Sequence, residues 1–385
     1  MNIIKINDNS NKLFYIGGVV RDELLGRESL DVDITYVGNA IEYCSKFGEV
    51  VQVNPDFGTV RVAIPSHPSL CNTHSPIGTM DEVTVDFAST RSESYPQKGH
   101  LPVVEKIGCS LKEDVMRRDF TINALAKSVT TGEIVDYVGG LEDLKNKKLR
   151  VLHDESFIDD PTRIIRGLKF ATRFGFELEE HTKKLQDEYL ANINYDMSYK
   201  RVKKELIETF SLNSQSAFKA FIDQKIYKLV TPNDVEIPKV NVEKFINKYL
   251  ADQPSSCPAV IWLVYVGILG DLSRLPLTKI EQKILDDVPK EVLKSDFELY
   301  KTFQNARIET VLLYAITKDE TGARHYLDDL RKIKLDITGK DLQTLGIKPS
   351  PKYQEIFDEV LKVKLKNPSM AKDDEIEEAL SSYRK

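Results

Sequence analysis

Residues 13–36, LFYIGGVVRDELLGRESLDVDITY, constrain the fold more than any other stretch, because they set a strand, a glycine turn, a short helix and a second strand in one run. Leu13 to Ile16 is apolar and Gly17-Gly18 breaks it. Val19, Val20, Leu24 and Leu25 then recur at helical spacing, and Gly26 stops the helix. In LDVDITYV, Leu30, Val32 and Ile34 alternate with Asp31, Asp33 and Thr35, so Asp31 and Asp33 share one face of a strand. Neighbouring carboxylates repel and destabilise a fold unless a cation lies between them. Mg²⁺, which takes oxygen ligands and bridges carboxylates to phosphates, is the natural cation. Gly17 and Gly18 expose backbone N–H groups at a helix start, where polyphosphate oxygens bind, and Arg21 in the first turn adds a charge-assisted donor. A Gly-Gly pair alone is a common turn, and a DxD alone a common solvated strand face. Their conjunction points to a nucleoside triphosphate held with a metal.

At 385 residues, with 41% hydrophobic content, the chain has room for two or more domains with real cores. Up to about residue 140 the pattern is β-rich, with EVVQV, TVRVAI, EVTVDFA and EIVDYV separated by turn residues. From about residue 145 it is helical almost throughout, so an α/β domain followed by helices is expected. The 30% charged content and lack of a long apolar run predict a soluble chain with no membrane segment, and MNIIKINDNSNK lacks the layout of a signal peptide. Cys44, Cys71, Cys109 and Cys257 have no metal-ligand spacing and read as reduced thiols of a cytoplasmic protein. With a net charge of −6, a surface for nucleic acid must be local. KNKKLR (145–150), YKRVKK (199–204), RKIK (331–334) and LKVKLK (361–366) are candidates, though each alone suits a solvated helix face.

Four segments occur in a telling order: GGVVRDELLGRESLDVDI (17–34), DVMRRDFTINALA (114–126), DDPTRIIRGLKFATRFGF (159–176) and ITGKDLQTLGIKPSPKYQEIF (337–357). Together they resemble the class II tRNA nucleotidyltransferase and bacterial poly(A) polymerase family, within the polymerase β-like superfamily. The likeness is strong over the first half, weak through the middle and recognisable again near the end. It implies an α+β fold: a nucleotidyltransferase head of mixed sheet and helices (1–140), then an all-α neck (141–210), body (211–300) and tail (301–385).

The resemblance also assigns roles. Asp31 and Asp33 become catalytic ligands for two Mg²⁺ ions, which activate an RNA 3′-hydroxyl and stabilise leaving pyrophosphate. Asp86, in VTVDFAST, is the candidate third carboxylate, or simply a polar residue on a half-exposed strand. Arg118 and Asp119 are expected at the sugar or phosphates, with Asp119 capping or flanking a helix start. Asp160, Arg163, Arg166 and Lys169 recur at i, i+3 steps of a helix that Pro161 suits in its first turn. Asp160 only accepts and Arg163 only donates. Cytosine and adenine both offer an amino group beside a ring acceptor, so such a pair takes them and refuses guanine and uracil. The family's likeness places base reading at these two residues, with Arg166 and Lys169 facing phosphates or stacking.

Three positions depart from the family pattern. Asp159-Asp160 replaces Glu-Asp, Lys169 replaces an arginine and loses its fork, and Lys200 stands where glutamate is frequent. Residues 89–105 read as a mobile loop. Arg91, Glu93 and Tyr95 there resemble the loop that, in the family, switches the pocket from C to A. Lys340, Lys348 and Lys352 mark a tail segment open to two readings, a tRNA phosphate contact or an ordinary helix–turn–helix packing unit.

The expected function is a template-independent CTP(ATP):tRNA nucleotidyltransferase that builds or repairs the 3′ CCA end. Its partners would be tRNA, CTP and ATP, with no obligate protein partner evident. A poly(A) polymerase or an A-adding or CC-adding specialist shares these motifs. An RNA-binding protein on a relict, non-catalytic head is the alternative from another class.

Overall fold

The computed structural model describes residues 6, 8, 10–29, 32–65, 82–235, 237–250 and 259–384. The chain forms two compact units, Met1–Glu205 with Gln224–Leu229, and Leu206–Asp223 with Val230–Lys385.

The first unit begins with β1 (Leu13–Ile16), α1 (Gly18–Leu24), β2 (Asp33–Tyr36), α2 (Ala40–Cys44), β3 (Glu49–Asn54), β4 (Thr59–Pro65) and β5 (Glu82–Ser89). It continues with β6 (Arg91–Ser94), β7 (Val103–Ile107), α3 (Leu111–Met116), β8 (Ala126–Ser128), β9 (Ile134–Val135), α4 (Gly140–Lys145) and β10 (Lys148–Leu149). Then come α5 (Ser156–Asp159), α6 (Thr162–Phe174), β11 (Glu177–Leu178), α7 (Glu180–Ala191) and α8 (Tyr199–Phe210), within which the unit boundary falls.

Among the described residues one seven-stranded sheet runs β3-β4-β5-β2-β1-β8-β9. Only β2 and β5 pair in parallel; the other ladders are antiparallel, so the sheet is mixed as expected. The alternation read in the sequence sets its core: Ile34, Val60, Val62, Val85 and Phe87 are buried while Asp33, Arg61 and Asp86 stand on the opposite face. Ile16, Val115, Ala124 and Ala126 form a second cluster with Leu111, at the foot of α3.

Two expectations change here. EIVDYV does not run as one strand, because the Asp136 carboxylate accepts from the N–H groups of Val138, Gly139, Gly140 and Leu141 and turns the chain after Val135. The helical stretch after residue 145 is also interrupted by a two-residue parallel ladder between β10 and β11.

The second unit is helical: α9 (Gln215–Asp223), α10 (Val242–Leu250), α11 (Ile261–Val266), α12 (Lys279–Asp286), α13 (Asp296–Phe303), α14 (Ile308–Thr317) and α15 (Glu320–Asp328), then α16 (Gly339–Thr344), α17 (Lys352–Lys366) and α18 (Lys372–Arg384). Phe210, Phe218, Phe221 and Tyr265 make an aromatic core, with Phe210 and Tyr265 stacked at 5.0 Å. The last three helices close over Leu342, Ile347, Ile356, Val360 and Ala379.

Candidate active site

The first wall of the site is the glycine turn between β1 and α1. Gly17 has φ +73°, a left-handed conformation that a side chain resists. A Cβ there would also lie 3.0 Å from Arg118 Nη1, so the glycine lets Arg118 approach the turn. Gly18 opens α1 and faces the same cleft. Arg21 is buried, with Nε and Nη2 on Asp22 and Nη1 donating to Asn123 Oδ1. Its guanidinium lies 4.5 Å from the Phe174 ring centroid. Arg21 therefore braces the turn, and its donors are engaged within the protein.

The second wall is a row across the sheet. Asp33 opens β2 and is in register with Asp86 of the parallel neighbour β5, which is in register with Arg61 of β4. The expected third carboxylate thus stands beside Asp33. Arg61 grips it with a fork, Nε to Oδ1 at 2.7 Å and Nη2 to Oδ2 at 2.8 Å. These residues line a cavity of about 450 Å³ with Arg91, Arg117 and Arg118. Asp31 lies outside the described residues. Among those described, no three His, Cys, Asp or Glu residues form a metal-ready group. Asp33 and Asp86 do supply the hard oxygen donors that a divalent cation takes.

The third wall comes from α3 and the turn after it. Ser110 and Glu113 cap α3 reciprocally. Fully buried Asp114 receives Arg117 at 2.9 Å and Arg118 at 3.4 Å. Burial pushes the Asp114 carboxyl up, but the Arg118 and Arg117 guanidiniums outweigh it and hold it below the usual range. Arg118 Nε is buried and has no hydrogen-bond partner among the described residues. Asp119 does not cap a helix, since only a 3-10 turn (Thr121–Asn123) follows it. Its Oδ1 accepts from Phe120 N at 2.8 Å and Asn123 Nδ2 at 3.0 Å, and its Oδ2 accepts from Arg166 Nε at 2.8 Å. Here too burial opposes ionisation, and Arg166 with Asn123 prevails, holding the carboxyl far below normal.

The ridge of α6 completes the cleft. Asp160 precedes the helix, whose N-cap position is Pro161, and its Oδ1 accepts from the Thr162 N–H at 3.1 Å. Buried Arg163 donates to Ser156 Oγ at 2.6 Å, to the Arg117 carbonyl at 2.9 Å and to the Tyr95 hydroxyl at 3.3 Å. Arg166 and Lys169 do not stand open for phosphates. Both reach Glu205 of α8, at 3.3 and 2.7 Å. The Arg166 guanidinium is driven above its ordinary range by Asp119, against burial.

Residues 91–107 are not a loop but a two-stranded hairpin, β6 on β7, joined by residues 95–102. Ladder pairing and ion pairs order it: Glu93 takes Arg91 at 2.7 Å and Arg117 at 3.2 Å. Tyr95 follows β6 and meets Arg163.

Together these walls enclose about 480 Å³ lined by seven arginines and five carboxylates, from Gly17 to Glu205. Asp33, Arg91, Arg117 and Arg118 belong to both this cleft and the cavity over the sheet. Such a lining suits a polyanion carrying a polar base. Sequence reasoning missed Asn123, Arg201 and Glu205 as parts of it. The signal for the last two was their i, i+4 spacing on α8.

The tail lysines lie in the second unit. Lys340 is on α16, Lys348 in the turn and Lys352 at the start of α17, all exposed. The helix–turn–helix packing read as one alternative is present: Thr338 and Asp341 cap α16, and Gly346 makes the turn at φ +78°.

Residues 13–150 match the family described as the poly A polymerase head domain. The chain is 32% identical over 416 residues to an A-adding tRNA nucleotidyltransferase of Geobacter sulfurreducens, across 94% of this chain and 44% of that protein. It is 27% identical over 409 residues to a CCA-adding enzyme of Bacillus pumilus, across 98% of this chain and 94% of that one. A solved CCA-adding enzyme in an apo form superposes with a TM-score of 0.77 at 25% identity, covering 96% of this chain and 92% of the other. The chain spans less than half the length of the first of these relatives.

Proposed function

The chain belongs to the class II tRNA nucleotidyltransferase and bacterial poly(A) polymerase family, carrying its head domain over residues 13–150, and we propose that it is a template-independent CTP(ATP):tRNA nucleotidyltransferase. The observation that carries this reading is that Asp33 and Arg118 line both the cavity over the sheet, with Asp86, and the cleft that holds Asp160, Arg163 and the glycine turn. Nucleotidyltransferases of this family use divalent metal ions. Here Asp33, with Asp86 and Asp31, would hold two Mg²⁺ ions, which supply charge neutralisation at the reacting phosphate. The residues' own work divides by position. The backbone N–H of Gly18, with the Arg118 guanidinium that lines the same cleft, holds the triphosphate, while the Gly17 N–H is spent on the Leu125 carbonyl at 3.1 Å. Asp160 accepts from the base's amino group and Arg163 donates to its ring acceptor, so C and A fit without a nucleic-acid template. Arg166, fixed between Asp119 and Glu205, keeps the helix bearing that pair in place.

tRNA is the proposed acceptor, with Lys340, Lys348 and Lys352 among its phosphate contacts. A cytoplasmic site of action goes with this reading: Cys44 and Cys109 are buried free thiols, and burial pushes Cys44 up to about 12. Among the described residues no helix is long and apolar enough to cross a membrane. A second reading, addition of A alone, is favoured by the name of the Geobacter relative. Incubation with tRNAs lacking one, two or three terminal nucleotides, with each NTP, tests both. Extension of all three to CCA supports the first reading, extension only of tRNA ending in CC the second, and no extension defeats both.

A further inference from the structure

The Asp160 carboxylate has few acceptor sites left. Oδ1 accepts from the Thr162 N–H at 3.1 Å and from Thr162 Oγ1 at 2.6 Å. Oδ2 accepts from Arg201 Nη2. A carboxylate offers about four lone-pair sites, so these contacts leave a single site, on the oxygen that Arg201 holds. Arg201 is itself fixed at its other nitrogen, where Nη1 donates to the His100 carbonyl at 3.1 Å.

We propose that Arg201 is the positioning residue for base choice: held between the His100 carbonyl and Asp160, it aims the one remaining acceptor site of Asp160 into the cleft. The inference rests on the function proposed above and names what makes Asp160 selective there. A freely rotating carboxylate with idle lone pairs would meet a base in several poses. One anchored on both oxygens meets it in one, and a base carbonyl in that pose faces oxygen against oxygen. The His100 carbonyl is a firm anchor. Next to it, Gly99 N–H donates to the Asp159 carbonyl at 3.0 Å, and its own carbonyl accepts from Ser198 N–H at 3.0 Å. Gly99 sits at φ +77°, where a Cβ would come within 3.0 Å of Met197 Cβ. The departure at Asp159 fits the same frame, since it takes Lys98 at 2.5 Å from the hairpin's joining segment.

Arg201→Lys keeps the charge and loses the planar fork that spans two acceptors. The test gives parent and variant tRNA lacking CCA with CTP against UTP, then tRNA ending in CC with ATP against GTP, and compares kcat/KM ratios. Arg201→Lys is expected to cut both preferences about tenfold, the scale of one discriminating base contact, with tRNA Kd unchanged. Lys183→Ala, which removes an exposed contact to Asp187 on α7 away from the cleft, should keep the parent's ratios. Ratios in Arg201→Lys within twofold of the parent, or an equal fall in Lys183→Ala, overturn the role given to Arg201. A parent that adds neither C nor A defeats the proposed function instead.

Discussion

Asp119→Asn isolates the charge network under α6. In the parent, Oδ2 of Asp119 takes both Nε and Nη2 of Arg166, at 2.8 and 2.6 Å, while Oδ1 serves Phe120 and Asn123. The variant amide can keep its oxygen on Phe120 and Asn123, but it then turns an N–H₂ toward a guanidinium, donor against donor. Breaking a buried ion pair from one side costs about 3–5 kcal/mol. The Arg166 side chain is 33% exposed and retains Glu205. Solvent screening and the surviving contact bring the expected loss to about 2–3 kcal/mol. The sign with pH follows from the depressed carboxyl. Although burial alone would raise it, Arg166 and Asn123 hold it far below normal. Its contribution is then full above the unfolded value of about 3.9 and is lost as pH falls through the folded one. Urea unfolding followed by circular dichroism, with the transitions of the two units resolved, should show the full gap at pH 7 and a smaller one at pH 3.5. A gap below about 0.5 kcal/mol at pH 7, within ordinary surface-mutation scatter, or one equal at both pH values, would refute this account of the network.

Three further outcomes are expected. Asp33→Ala should abolish nucleotide addition while tRNA Kd in a filter-binding assay stays near the parent's; near-normal rates with divalent metal present would remove the metal role. Gly17→Ala forces a side chain into φ +73° against Arg118, so stability should fall by about 1–2 kcal/mol and the KM for CTP should rise; an unchanged Tm and KM would count against the turn's role. Asp160→Asn can both donate and accept, so C and A addition should fall about tenfold or more, the worth of about 1–3 kcal/mol in a base contact, while U and G gain relative to them. Undiminished selectivity in that variant would end the claim that Asp160 reads the base.

Local pattern alone determined a good part of this protein. The apolar run, the glycine pair and the alternation after it define β1, α1 and β2, because period and backbone freedom act within a few residues. The same holds for β3, β4 and β5 and for Asp160 at the head of α6. EIVDYV shows the limit, since alternation does not register that Asp136 will take four N–H groups and end the strand. The hairpin at 91–107 shows it again: polar residues with Gly and Pro read as a loop until β7 supplies a ladder partner. Only the tertiary structure decided that Asp86 stands beside Asp33, because parallel register is set by packing across a crossover and leaves no local trace. It alone decided that Arg166 and Lys169 face Glu205, and that Arg201 reaches Asp160. These partners lie 36 to 41 residues apart in the chain, so the charge that neutralises a side chain depends on which helices meet, not on which residues are neighbours in sequence.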